Sequence, residues 1–344
     1  AINSLRWDMW YKDAWGVLFY LSTTMSLIWC YIFNKVSIRT FSMAILLLLA
    51  LDVMIVDNKI IQPKKNSGRS SQLLNNSIVD RYFQHDQISK ILSSDKNELF
   101  RVYPAGQLFG ETRLRAFGVE SIGGYHPAKL NVYNNFLKNT NNANTLALMG
   151  MLNVKYFLST QSINHPDLIE IKQARMKSGR GNIPVSMYRL ENYQKRAWFA
   201  KNIEVYPENN FPWGKIKNQL FEPEKVAFVS QNDISFNTTF SIGKINSINN
   251  SLHRLEIETE SDSTSFLIVS EVFYPLRWKA TIDGEQIEYF KTNGVIRGLI
   301  IPKGQHKIVF NYDRSSFNKG VLISLSSFFL TIGMIIFGYR KSIY

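Results

Sequence analysis

The sequence predicts a membrane-anchored α+β protein in which three transmembrane helices flank an α+β unit and an antiparallel β-sandwich. Three observations predict it. Apolar runs of about bilayer-crossing length occur at 14–33, 41–56 and 320–338. Helix-period and strand-period segments alternate through 58–223. From 224 to 316 short strands follow one another, separated by Asp-Gly and Asn-Gly turns.

Taken in order, Ala1 to Asp13 mixes Trp7, Trp10 and Tyr11 with Arg6 and Lys12, as segments at a membrane–water boundary do. A chain that opens this way, without Met, reads as the tail of a longer protein or as the product of signal-peptide removal. The first two apolar runs are joined by the short basic turn Asn34 to Arg39, which implies a helical hairpin. Asp52 and Asp57 close the second run; each is either a functional intramembrane acid or a solvated helix end. Asn58 to Ser71, with Lys59, Lys64, Lys65 and Arg69, reads as a basic linker.

The α+β unit reads as a helix over Gln84–Leu92, a strand over Leu99–Tyr103, an irregular stretch over Phe109–Val119 and a helix from Pro127. A short helix around Leu146–Leu152, a buried strand at Val154–Leu158, a glycine-rich surface loop over Lys172–Gly181, and strands at Val185–Leu190 and Ala197–Val205 complete it. In the sandwich, Leu255 and Ile257 alternate with Glu256 and Glu258, and Phe266–Val272 is a long apolar strand. Asp283-Gly284, Asn293-Gly294 and Pro302-Lys303-Gly304 read as three successive hairpin turns. The third apolar run then leads into the basic tail Tyr339 to Tyr344.

The chain is arranged around Ser121 to Phe136. Gly123 and Gly124 permit backbone angles closed to other residues, and Pro127 suits a first helical turn. A glycine pair opening onto a helix offers free N–H groups and a positive dipole end to an anion. Lys129 would stand in that first turn, His126 could cap or donate a proton, and Arg113 and Arg115 approach from upstream. Tyr125, like Trp198, Tyr274 and Trp278, can stack on a sugar ring. The same residues also suit an ordinary turn into a packed helix.

This run resembles the S-I-G-G-Y-H-x-A-K-L signature of the bacterial YfhO family of multi-spanning membrane proteins. Met151-Leu152-Asn153-Val154-Lys155-Tyr156 is similar to that family's M-L-N-x-K-Y, and Ala197-Trp198-Phe199 to its A-W-F. The stretch Phe273 to Gly284 is similar to its Y-Y-P-x-W-x-A-x-I-D-G. The family is similar to the GT-C class of integral-membrane glycosyltransferases, which move a sugar from a polyprenyl-phosphate carrier to an envelope acceptor. The resemblance implies the carboxy-terminal part of such a protein, in the bacterial inner membrane, with both soluble units extracytoplasmic. It covers nearly the whole chain but not the amino-terminal catalytic loop of that class, so no catalytic residue is carried over. The partners it implies are membrane lipid, a polyprenyl-phosphate sugar, an envelope glycan and other membrane subunits. Charge alone does not orient the spans, because more lysines and arginines flank the soluble side than the turn and tail.

A net charge of +13 would suit an anionic surface, yet the bases are scattered and no nucleic-acid partner is expected. The single cysteine, Cys30, lies in an apolar run, which excludes a disulfide framework. His85, His126, His165, His253 and His306 are dispersed without metal-ligand spacing, and no cofactor fingerprint is present. Two functions follow: an exterior segment that binds acceptor or lipid-phosphate without catalysing, or a non-enzymatic membrane-anchored scaffold of a larger envelope complex.

Overall fold

The computed structural model describes residues 2–61, 76–178, 181–234 and 238–341. Pro63, Lys64, Lys65, Gly68 and Arg69 of the expected linker and the last three residues of the tail lie outside them. So do the side chains of Arg6, Lys12, Lys59, Arg340 and Lys341. The chain divides into two units, 1–82 and 83–344.

The first unit comprises α1 (Ile2–Ile32), α2 (Ile38–Ile61) and α3 (Asn76–Tyr82). The expected interfacial segment is already helical and continuous with the first apolar run. Asn34 adopts φ 55°, a left-handed angle that asparagine tolerates, and so closes the turn after α1. The Lys35 N–H donates to the Cys30 carbonyl at 2.8 Å, and Tyr31 stacks on Phe41 at 4.9 Å. Ala14–Ile32, Ile38–Asp57 and Ser315–Gly338 are long and apolar enough to cross a membrane. Asp52 and Asp57 are both exposed on α2.

The second unit begins with α4 (Gln87–Ser94), whose start is fixed by a reciprocal cap. Asp86 accepts from the Ser89 N–H at 2.8 Å while the Ser89 hydroxyl accepts from the Asp86 N–H at 2.9 Å. Next come β1 (Arg101–Pro104), β2 (Glu120–Ser121), α5 (Asn131–Asn139), α6 (Leu146–Met151), β3 (Val154–Ser159), β4 (Leu168–Ser178) and β5 (Gly181–Leu190). They make a five-stranded sheet ordered β2-β1-β3-β5-β4, with β1 parallel to β2 and β3 and the rest antiparallel. Lys172–Gly181 is therefore not a surface loop. Met176, Val185 and Met187 are buried at alternating positions of a β-hairpin, while Lys172, Gln173, Arg175 and Asn182 face out.

The remaining elements are β6 (Ala197–Ala200), β7 (Asn202–Tyr206), α7 (Trp213–Ile216), β8 (Val226–Ser230), β9 (Thr238–Thr239), β10 (Lys244–Ser251) and β11 (Arg254–Ser261). After them come β12 (Ser265–Val272), β13 (Trp278–Ile282), β14 (Glu285–Ile287), β15 (Phe290–Thr292), β16 (Ile296–Ile301), β17 (Gly304–Tyr312) and α8 (Ser315–Lys341). A five-stranded sheet, β10-β11-β17-β13-β14, faces a seven-stranded one, β6-β12-β16-β15-β8-β7-β9. Phe199, Leu267, Val269 and Leu299 of the second sheet meet Leu255, Ile257, Ile308 and Phe310 of the first. The result is a β-sandwich, antiparallel apart from the parallel pair β7–β8.

Two expected joints differ. Asp283-Gly284, at φ 53° and 96°, closes the β13–β14 hairpin with Ile282 opposite Glu285, as the dipeptide demands. Pro302-Lys303, by contrast, carries the chain from β16 in one sheet to β17 in the other, so it is a crossover between sheets and not a hairpin turn. The expected division at 223/224 also runs through hydrogen-bonded sheet: β6 precedes it yet pairs with β12, and β7 pairs with β8. One buried cluster joins Tyr103, Phe157 and Tyr188 of the first sheet to Trp198, Phe266 and Ile296 of the sandwich, so no packing boundary falls there.

Candidate functional site

The glycine pair is required by a close backbone approach. A Cβ on Gly123 would lie 2.4 Å from the Phe109 carbonyl oxygen, and Gly124 has φ 117°. Both N–H groups are consumed internally: Gly123 donates to the Ser121 hydroxyl at 3.1 Å and Gly124 to the Phe109 carbonyl at 2.6 Å. The expected cradle of free N–H groups is absent at these two positions.

The helix also starts later than expected. Leu130, with ψ 131°, precedes α5, so residues 127–130 are not helical and Lys129 is not in a first helical turn. The anchor of this stretch is tertiary. Tyr133, whose hydroxyl burial pushes up to about 12, donates to the Ile122 carbonyl at 2.5 Å and holds α5 against the strand end.

The predicted residues part into two groups. Arg113 is buried and turned away: its guanidinium meets Asp86 at 2.7 Å, donates to the Gln84 carbonyl at 2.5 Å and lies 4.8 Å from the Phe117 ring. It is a structural ion pair and no part of the expected anion site, because one buried guanidinium cannot serve both ends. Arg115, His126 and Lys129 do come together. Arg115 Nη1 lies 3.4 Å from His126 Nε2, and Gly123, Gly124, His126 and Lys129 line a pocket of about 160 Å³. Ile122, Leu130, Tyr133, Leu137 and Val272 form its apolar wall. All three basic side chains are exposed, and no carboxylate pairs with them among the described residues. Tyr125 stands 76% exposed beside them.

A larger cleft of about 680 Å³ opens elsewhere in this unit. Leu92 and Ser93 at the end of α4, the loop Asp95–Phe100, residues Gly118–Glu120, Lys195–Ala197 and the outer strand β10 from Ile245 to Asn250 border it. Lys155 fixes one rim, reaching Asp95 at 2.6 Å and Glu98 at 2.9 Å, while the Tyr156 and Tyr193 hydroxyls donate to the same two carboxylates. Those contacts raise the Lys155 ammonium above its ordinary range, against the effect of burial.

Behind the cleft lies a charge network that sequence reasoning missed. Glu271 meets Arg196 at 2.5 Å and Arg101 at 2.9 Å; Glu120 meets the same two at 2.9 and 3.2 Å. Arg101 also donates to the Ser270 carbonyl at 2.6 Å, which ties the first sheet to β12. Arg297, buried, lies 4.7 Å from the Trp278 ring and 4.9 Å from Phe310. Burial would raise Glu271, but the guanidiniums of Arg101, Arg196 and Arg297 outweigh it and hold the carboxyl below its usual range. Arg196 Nε and Nη2 and Arg297 Nη1 have no hydrogen-bond partner. One signal was available: Glu271 and Arg297 interrupt apolar strands, where a charge must find a partner.

These groups set an acid limit. Burial opposes the shift at Asp86, Asp95, Glu98 and Glu271, yet their hydrogen bonds and basic neighbours lower all four below the free values of 3.8 and 4.5. A carboxyl depressed on folding stabilises above its unfolded pKa and loses that contribution as pH falls. Near-UV circular dichroism should therefore report loss of packing between about pH 5 and 3.

No family model, curated protein or solved structure matches the chain. Among the described residues no group of three or more His, Cys, Asp or Glu is placed to hold a metal ion.

Proposed function

We propose that this chain is the exterior-domain end of a YfhO-like, GT-C-type membrane protein, and that it binds a lipid-linked phosphate at the glycine-pair pocket without catalysing transfer. One observation carries this: His126 and Lys129 line a pocket whose wall is apolar, Arg115 lies 3.4 Å from His126, and none of the three has an acidic partner among the described residues. A prenyl phosphate has that composition, an oxyanion joined to a hydrocarbon chain. The three apolar helices and the four resemblances in sequence support the same reading. In it, the bilayer is that of the bacterial inner membrane and the second unit lies outside the cytoplasm.

The test uses farnesyl phosphate as a short probe and farnesol as its uncharged control, titrated into the full chain in detergent micelles. His126→Ala and Lys129→Ala should each weaken farnesyl phosphate binding by about three- to tenfold, with the melting temperature unchanged and farnesol unaffected. Equal binding of the phosphate by the wild type and both variants would remove the reading.

A further inference from the structure

We propose that the cleft bordered by β10 is a second binding site, one that takes an acidic oligosaccharide: a polyhydroxylated chain carrying a carboxylate or phosphate oxyanion. Its volume of about 680 Å³ is that of a ligand site and exceeds the glycine-pair pocket fourfold. Asn97, Asn246, Asn249 and Asn250 border it. Each carboxamide both donates and accepts, which matches hydroxyl groups that do the same. Leu99, Ile245 and Ile248 add the apolar surface that the C–H faces of a sugar ring need.

Charge accounting supplies the oxyanion. The cleft's three carboxylates are already held, Asp95 and Glu98 by Lys155, Glu120 by Arg101 and Arg196. Lys96 and Lys195 border the same space, exposed and in no ion pair among the described residues. Behind them Arg196, 1% exposed, spends only Nη1 on its two glutamates and leaves Nε and Nη2 unpartnered. Arg101, Arg196 and Arg297 face two acids, Glu120 and Glu271, an excess of one positive charge that balances the second carboxylate held by Lys155. With those charges balanced, the exposed ammonium groups of Lys96 and Lys195 leave the cleft two positive charges in excess, beside the unpartnered donors of Arg196, and attractive to an anion. A neutral sugar would leave the charge unmet.

The site is separate from the lipid-phosphate pocket, and the experiment keeps the two apart. The full chain in detergent micelles is titrated calorimetrically with trigalacturonate, with a short glycerol-phosphate oligomer and with neutral maltotriose. Trigalacturonate, the phosphate oligomer or both should bind at least about tenfold tighter than maltotriose, and the stronger of the two identifies the oxyanion. The double substitution Lys96→Ala and Lys195→Ala should weaken that binding about tenfold or more, with the melting temperature unchanged. Asn249→Ala should weaken it severalfold, and His126→Ala with Lys129→Ala should leave it as it was. The proposal is overturned if no acidic probe outbinds maltotriose, if the double substitution binds like the wild type, or if the glycine-pocket variants lose the trigalacturonate affinity instead.

Discussion

Glu271→Gln should destabilise the second unit by about 3–5 kcal/mol, the range for removing one member of a buried ion network. The amide keeps the shape of the carboxylate but leaves Arg101, Arg196 and Arg297 facing Glu120 alone. A quarter of the Glu271 side chain remains exposed, which places the value toward the lower end of that range. Thermal unfolding of the full chain, followed in the near-UV, measures it. Glu120→Gln serves as the comparison: its side chain is 38% exposed, so water can replace part of what it supplies, and a smaller loss is expected. If both variants melt with the wild type, the network does not hold the first sheet to the sandwich.

Gly298→Ala should be similarly damaging for a steric reason. A Cβ there would lie 2.2 Å from Thr292 Oγ1 and 2.5 Å from the Phe266 ring, both belonging to fully buried residues. Neither can swing into solvent, so β15 and β16 must separate or the ring must leave its place. Overpacking of this kind costs about 1–3 kcal/mol, and two simultaneous contacts point to the top of the range or beyond. Adding Thr292→Ala should recover part of the loss, and a positive coupling between the two changes is the diagnostic result. Gly284→Ala tests a different cost, because space around Gly284 is open and only its φ of 96° opposes the side chain.

What could be read from residue order alone was whatever is decided locally. The three apolar runs, the Asp283-Gly284 hairpin and the apolar strand β12 depend on composition and two-residue turn chemistry, and each is where it was expected. The helix after Pro127 was misjudged because a fixed proline φ suits extended chain as well as a first helical turn. What decides is Tyr133 reaching Ile122, eleven residues away. The hairpin of β4 and β5 was hidden by its composition: Lys172, Arg175 and Gly181 read as loop residues, yet they sit at exposed positions of paired strands. Sheet membership was not legible at all: Phe199 opposes Leu267, far along the chain, and no nearby residue announces it.

The site was legible to the same degree. His126, Lys129 and Arg115 are close in sequence and meet in space. Nothing near the arginines behind the cleft announces their partners, since Arg196 finds its acids 76 residues before and 75 residues after itself. Arg113, read as a ligand, is held by Asp86, 27 residues upstream.

The crossover at Pro302-Lys303 places β17 between β11 and β13, at the centre of the five-stranded sheet, although it is the last strand made. During synthesis, β11 and β13 must therefore wait with bare edges until residue 312 has emerged, and α8 follows after only Asp313 and Arg314. A nascent chain halted before Gly304 would carry nearly all of the sandwich yet none of its keystone, and such stalled chains should be far more prone to clump and to protease attack than chains released a dozen residues later.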